Sequence, residues 1–189
     1  MVDFHQYIYE VKKNGSAVAF HKLVQLFENK VYTMCYRIIR NREEAEEAAQ
    51  DVFLKCFRNI HQLEDDQKFP QWLLKIAYSK SIDYVRRKKI VKVDLDDIAE
   101  LGGDINKKDV EGDLNRSQVL EGAMKVLEPS DVALINLYYQ EDMSVKEIAN
   151  LLDISESNVK VRLHRARAEL RNLLEISNRE PKIKSGNAT

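Results

Sequence analysis

Cationic side chains crowd one stretch near the C-terminal end of this chain. From Lys160 the sequence reads KVRLHRARAELR, and only Glu169 opposes the positive charge. Lys160, Arg162, His164, Arg165 and Arg167 interleave with an apolar stripe of Val159, Leu163, Ala166 and Leu170 at steps of three and four. Guanidinium and ammonium groups at this density suit phosphates, and one guanidinium can pair with both acceptors of a guanine edge. Ser155, Ser157 and Asn158 stand just before, small enough to approach a phosphate closely. An ordinary solvated helix face has the same pattern, so spacing alone leaves both readings open.

Other chemistry-bearing residues do not gather. His5, His21, His61 and His164 are scattered, without HExxH or paired-His spacing. Glu43, Glu44, Glu46 and Glu47 crowd a helix start with no His partner. The helix dipole favours carboxylates there, which makes a solvated face the better reading than a metal site. Cys35 and Cys56 lie far apart on apolar stripes and read as buried thiols of a reducing compartment. No glycine-rich phosphate loop or nucleophile motif is present. The sequence thus offers no catalytic residue, no metal site and no cofactor, and a metallohydrolase is the least favoured class.

The basic stripe must sit on a helix, and its neighbours supply the rest of a motif. Val145, Ile148, Ala149 and Leu152 mark a short helix, Asp153-Ile154 breaks it, and Ser155 can cap the next. A short helix, a turn and a longer basic helix make a helix-turn-helix, whose second helix enters the major groove. Many such turns hold glycine where this chain has Asp153, but Asp tolerates a left-handed backbone better than most residues.

The rest of the chain also reads as helix. A short amphipathic helix over Val2 to Lys13 turns Phe4, Ile8 and Val11 inward and ends at Asn14-Gly15, with Ser16 placed to cap its successor. That successor runs to about Arg40 on Phe20, Leu23, Val24, Phe27, Val31, Met34, Cys35 and Ile38. Asn41 caps another, with Glu44 completing a capping-box pattern and Ala45, Ala48, Ala49, Val52, Phe53, Cys56, Phe57 and Ile60 as its buried stripe. HQLEDDQKFP, His61 to Pro70, is a polar loop, and Pro70 opens a helix expected over Gln71 to Lys89. Val93 to Asn115 is acidic around Gly102-Gly103 and reads as a flexible linker between domains. Val119, Leu120, Ala123, Met124 and Leu127 mark a helix ending near Glu128-Pro129, and Ser130 is expected to cap the one that buries Leu134, Ile135, Leu137 and Tyr138. The tail from Asn178 lacks an apolar face and is expected to be disordered.

The expected fold is therefore all-α: two small helical domains joined by a flexible acidic linker, the second containing the helix-turn-helix. The boundaries fall at 1–92, 93–114, 115–177 and a tail at 178–189. With 189 residues and 44% hydrophobic content the chain can build such cores. Its net charge of -1 gives no overall basic signal, so charge is segregated along the chain. The start, MVDFHQYIYEVKKNG, does not look like a signal peptide, and no apolar stretch is long enough to cross a bilayer, so a cytoplasmic protein without membrane insertion is expected.

Four stretches in this order resemble the extracytoplasmic-function (ECF) group of bacterial RNA polymerase sigma factors: AEEAAQDVFLKCFRNI, FPQWLLKIAYSKSIDYVRRKK, LYYQEDMSVKEIANLLDIS and NVKVRLHRARAEL. The resemblance spans about Phe20 to Leu174. It implies a factor that binds core RNA polymerase and directs promoter-specific initiation. Asp51, Phe53, Leu54, Lys55 and Phe57 would dock on the clamp helices of the beta-prime subunit, with the beta subunit as a further partner. The loop His61 to Pro70 and the helix after it would open the promoter and hold a flipped minus-ten base, a step that unstacking must precede. Ser79, Lys80, Asp83, Tyr84, Arg86, Arg87 and Lys88 would serve there, while Trp72 reads better as core. Ser79 stands where family members often carry Asn. The acidic linker would thread the polymerase cleft and RNA exit path. Lys160, Val161, His164 and Arg165 would read bases of the minus-thirty-five element, Ser157 and Asn158 would approach its backbone, and Arg162 and Arg167 suit phosphates or packing. An anti-sigma factor and a stress signal complete the expectation. The alternative is an autonomous helix-turn-helix regulator whose first half senses a ligand or partner.

Overall fold

The structure is a computed structural model and describes residues 4–96, 122–124 and 126–179. Side chains of 91–96 and 176–179 are outside the description. The described residues are helical, with no strand among them. In chain order the helices are α1 (His5–Asn14), α2 (Ala17–Ile39), α3 (Arg42–Asn59), α4 (Phe69–Asp96), α5 (Pro129–Tyr139), α6 (Val145–Leu152) and α7 (Glu156–Arg179). Single 3-10 turns, Ile60–Gln62 and Asp66–Lys68, lie between α3 and α4.

Local signals set most boundaries. Gly15 closes α1 in the left-handed region at φ 63°, which only glycine adopts without cost, and the Ser16 hydroxyl then accepts from Ala19 N–H. Arg40 ends α2 in the same left-handed region, a conformation nothing in its type announces. The Asn41 side chain caps α3 by accepting from Glu44 N–H at 3.0 Å. The Glu44 carboxylate reaches Lys88 on α4 at 2.7 Å. The expected capping box is thus half made.

Four expectations need correction. Helix α4 continues to Asp96, into residues expected to start the linker. Helix α7 continues to Arg179, through Asn178, where the tail was expected to begin. The N-cap of α5 is Glu128, with Pro129 leading the helix, so Ser130 lies inside it. Phe57, on the stripe expected to be buried, is 38% exposed. Val119, Leu120, residues 97–114 of the linker and 180–189 of the tail lie outside the described residues.

Helix α2 is the centre of the first half. Its stripe of Leu23, Phe27, Val31, Met34, Cys35 and Ile38 is buried against α1, α3 and α4. Burial pushes the Cys35 thiol up to about 11, despite the Ser81 hydroxyl beside it, and the Cys56 thiol up to about 12. Both are therefore protonated hydrophobes at neutral pH. Helices α5, α6 and α7 form the second half around Leu134, Leu137, Ile148, Val159 and Leu163.

The halves pack together, α5 lying on α2 and α4 and α6 on α4. Asn136 of α5 is 1% exposed, a position that pattern reading treats as apolar. Its carbonyl oxygen accepts from the Arg37 guanidinium, and its amide lies 3.8 Å from Met34 Sδ. Arg40 donates to the backbone carbonyls of Met124, at 3.1 Å, and Leu127. Lys30 and Glu141 form an ion pair at 2.6 Å.

Candidate nucleic-acid interface

The helix-turn-helix forms because three local devices agree. Ser144 caps α6 in a reciprocal box: its hydroxyl accepts from Glu147 N–H at 3.2 Å while Glu147 accepts from Ser144 N–H at 2.8 Å. The Ser144 hydroxyl, donating to Glu147 Oε2 at 2.7 Å, and then the Ser144 N–H hold the Glu147 carboxyl below its usual range. Asp153 takes the turn at φ 57°, ψ 48°, in the left-handed region expected of it, and its N–H bonds Ala149 O. Ser155 then caps α7 by accepting from Asn158 N–H at 3.2 Å. Val159, Leu163 and Ala166 are buried beneath. Lys160, Val161, His164 and Arg165 face solvent together, as do Ser157 and Asn158.

Two of the basic side chains also make contacts within the protein. Arg162 is half-buried and turned toward α5, donating to Asp131 Oδ1 at 2.7 Å and to Ser130 Oγ at 2.6 Å. Arg167 lies over the rings of Tyr138 and Tyr139, 5.2 and 5.6 Å from their centroids. Both therefore fix α7 against α5 and set the angle at which the exposed face is presented. Arg162→Ala should destabilise the second half by ~1–3 kcal/mol, since it leaves Asp131 unpaired in a half-buried site. Arg162→Lys should recover only part, because an ammonium does not reproduce the fork. Thermal denaturation of the two variants checks this.

The second candidate surface is on α4. Lys80 pairs with Asp51 at 3.0 Å, Arg86 with Asp83 at 2.9 Å and Lys88 with Glu44 at 2.7 Å. Arg87 projects to solvent. These pairs are partly exposed, and pairs of that kind contribute ~0–1 kcal/mol, so phosphates can displace them. Ser79 and Tyr84 are half-buried, and burial beside Glu44 and Glu47 pushes the Tyr84 phenol up. Trp72 packs on Phe69 but is not enclosed, and it lines a groove of about 480 Å³. Loop residues Gln62, Leu63 and Glu64 line the same groove, as do Met143, Glu147 and Asn150 of the second half. Tyr78 points to the other half: burial raises its phenol, with Arg162 lowering and Asp131 raising it.

On α3, Leu54 is 54% exposed and Phe57 lies beside it in sequence order one turn on, its ring edge-on to Phe20 at 4.9 Å. Phe53 is half-buried against Phe20, and Asp51 and Lys55 are exposed. This part of α3 therefore exposes an apolar pair, Leu54 and Phe57, with the charged side chains Asp51 and Lys55 beside it.

Residues 23–90 match the family profile of Sigma-70 region 2, and residues 117–170 that of Sigma-70 region 4. The ECF RNA polymerase sigma factor SigW of Bacillus subtilis (strain 168) is 33% identical over 180 residues, spanning 88% of this chain and 94% of that one. This chain belongs to the ECF RNA polymerase sigma factors. SigM of the same organism is 30% identical over 155 residues, 80% of this chain and 93% of that one. Among solved structures, the sigma factor RpoE in complex with the anti-sigma factor NepR from Bartonella quintana shares the fold at TM-score 0.66 and 20% identity, covering 83% of this chain and 97% of that one. CnrH in complex with the cytosolic domain of CnrY gives TM-score 0.65 at 21% identity, over 92% and 99%.

As an ECF sigma factor the chain binds core RNA polymerase and directs promoter-specific transcription initiation. The region 2 match takes in most of α2, all of α3 and α4 as far as Ile90; the region 4 match takes in α5, α6 and most of α7. Helix α1 lies before both. Among the described residues no helix is long and apolar enough to cross a membrane. Sequence reasoning missed Asp131 and Asn136, whose polar types gave no sign of burial, gave Ser130 a capping role in place of its bond to Arg162, and missed Tyr139, whose exposure beside Arg167 follows only from the fold.

Proposed function

We propose that α7 reads the minus-thirty-five element through Lys160, Val161, His164 and Arg165, with Ser157 and Asn158 at the backbone. The loop before α4 and the face of Ser79, Lys80, Asp83, Tyr84, Arg86, Arg87 and Lys88 open and hold the minus-ten element. The exposed part of Asp51 to Phe57 docks on the beta-prime clamp helices. The observation that carries this is the separation of three surfaces by chemistry: cationic on α7, mixed aromatic and cationic on α4, and apolar with a charged rim on α3. An anti-sigma factor holding the chain inactive in the cytoplasm until an envelope or environmental stress fits the company the fold keeps. Core polymerase should capture the purified chain, and the chain alone should bind duplex promoter weakly. Tight unaided binding of an operator by a dimer would favour the autonomous regulator instead.

The packed arrangement of the two halves bears on this. Elements centred near minus-ten and minus-thirty-five lie about 25 base pairs apart, ~85 Å of duplex at ~3.4 Å per pair. Helices α5 and α6 in contact with α2 and α4 cannot reach both, so promoter binding requires the halves to part. The covalent chain permits it, because residues 97–121 have a contour length of up to ~85 Å at ~3.4 Å each. Arg37→Ala combined with Glu141→Ala removes charged contacts across the boundary, of which the Arg37 hydrogen bond alone is worth ~1.5–3 kcal/mol. Small-angle scattering should show the double variant more expanded than the unaltered chain; an unchanged radius of gyration would show that these contacts do not hold the halves together.

A further inference from the structure

We infer that Lys12, on α1, is a positioning residue for promoter opening, acting through the loop that precedes α4. The inference rests on the reading of that loop as the opening element. Lys12 Nζ donates to Leu63 O and to Asp66 Oδ1, both at 2.6 Å. These acceptors flank Glu64 and Asp65, so one half-buried ammonium ties the two sides of the loop tip together. Other hydrogen bonds of the loop are local: Leu63 N–H to Ile60 O, Lys68 N–H to Asp65 O, and Gln67 N–H to the Asp65 side chain. Such short turns have little to resist rearrangement, and a charge-assisted bond to the backbone fixes what they leave loose.

Helix α1 is itself firmly placed. Ile8 and Val11 are buried, and Phe4 meets the rings of Phe27 and Phe69 at 5.6 and 6.1 Å. Phe69 is the first residue of α4 and is fully buried. Anchor and staple thus come from α1 and its N-cap: Phe4, the N-cap, meets the start of α4 and Lys12 grips the loop leading into it. Gln62, Leu63, Glu64 and Asp65 line the groove beside Trp72, so displacement of the loop changes the wall that an extruded base would meet. Helix α1 precedes the region 2 match at residues 23–90, and the positioning role therefore belongs to a part of the chain outside that module.

The test compares Lys12→Met, which keeps the aliphatic stem, with Lys12→Arg, which keeps the donors. Each is assembled with core polymerase on a promoter carrying 2-aminopurine at the extruded minus-ten base. Lys12→Met should lower the rate of the fluorescence rise about ten- to a hundredfold, the scale on which ~1 Å of misplacement acts. Core capture, circular dichroism and binding of duplex minus-thirty-five DNA should stay unchanged, and Lys12→Arg should restore most of the rate. Opening by Lys12→Met at the unaltered rate would overturn the role while leaving the sigma reading intact. So would equal loss of opening and core capture in both variants, which would mark Lys12 as general scaffolding. An unaltered holoenzyme that opened no promoter would overturn the reading of the loop, and the role with it.

Discussion

Leu54→Asp should reduce capture of core RNA polymerase by about 2–4 kcal/mol, the range of a central interface anchor, which is roughly 30- to 1,000-fold. Leu54 is more than half exposed and so contributes little to the fold, and a surface substitution of this kind changes stability by about 0.5 kcal/mol or less. A carboxylate at its place would be desolvated on docking without a partner. Neighbouring residues are less clean probes. Asp51 bonds Lys80, so Asp51→Ala disturbs the minus-ten face as well as the docking segment. Phe57 stacks edge-on against Phe20, so Phe57→Ala also removes an aromatic contact of ~0.5–1.5 kcal/mol from the fold. Equilibrium binding of labelled core, with denaturation curves alongside, checks the prediction. A folded Leu54→Asp chain that captured core normally would move the docking surface off this part of α3.

The second large effect belongs to base reading. Arg165 stands free on the exposed face of α7, between Lys160 and the paired Arg167. Arg165→Ala should cost ~1–3 kcal/mol and relax preference at one position of the minus-thirty-five element, because a guanidinium is the group that grips both acceptors of guanine. Arg167→Ala should weaken binding to all sequences alike and flatten the salt dependence. The tyrosine contacts add a second consequence: ~0.5–1 kcal/mol of cation-π attraction between α7 and α5 is lost as well. Binding across a library randomised in that element, at two salt concentrations, separates the two. An unchanged preference profile for Arg165→Ala with an altered one for Arg167→Ala would put the reading face on the wrong side.

The all-helical fold was legible because its signals are local. Apolar residues at steps of three and four, Gly15 at a left-handed turn, and Ser16, Asn41 and Ser155 at helix starts each act over a few residues, and the structure follows them. Asp153 in the left-handed region was legible for the same reason. What the sequence hid depends on contacts between distant segments. Arg162 and Arg167 share the basic stripe with Arg165, and only the position of α5 makes Arg162 a half-buried packing residue while Arg167, still exposed, rests on tyrosine rings. Asn136 is buried because Arg37, far away in sequence, satisfies it. Ser130 looked like a cap, yet Pro129 starts the helix and frees its hydroxyl for Arg162. The α4 extension to Asp96 runs into acidic residues whose composition favours a linker, and composition is a weaker guide than a helix already propagating.

As an ECF sigma factor this chain should give core RNA polymerase a promoter preference that core lacks alone. Run-off transcription from a fragmented genomic library, with 5′ ends mapped, measures that directly. Core with the chain should yield a small set of discrete start sites sharing paired upstream motifs, and Leu54→Asp should abolish the set. Identical 5′ ends with and without the chain would mean that it confers no promoter preference on core.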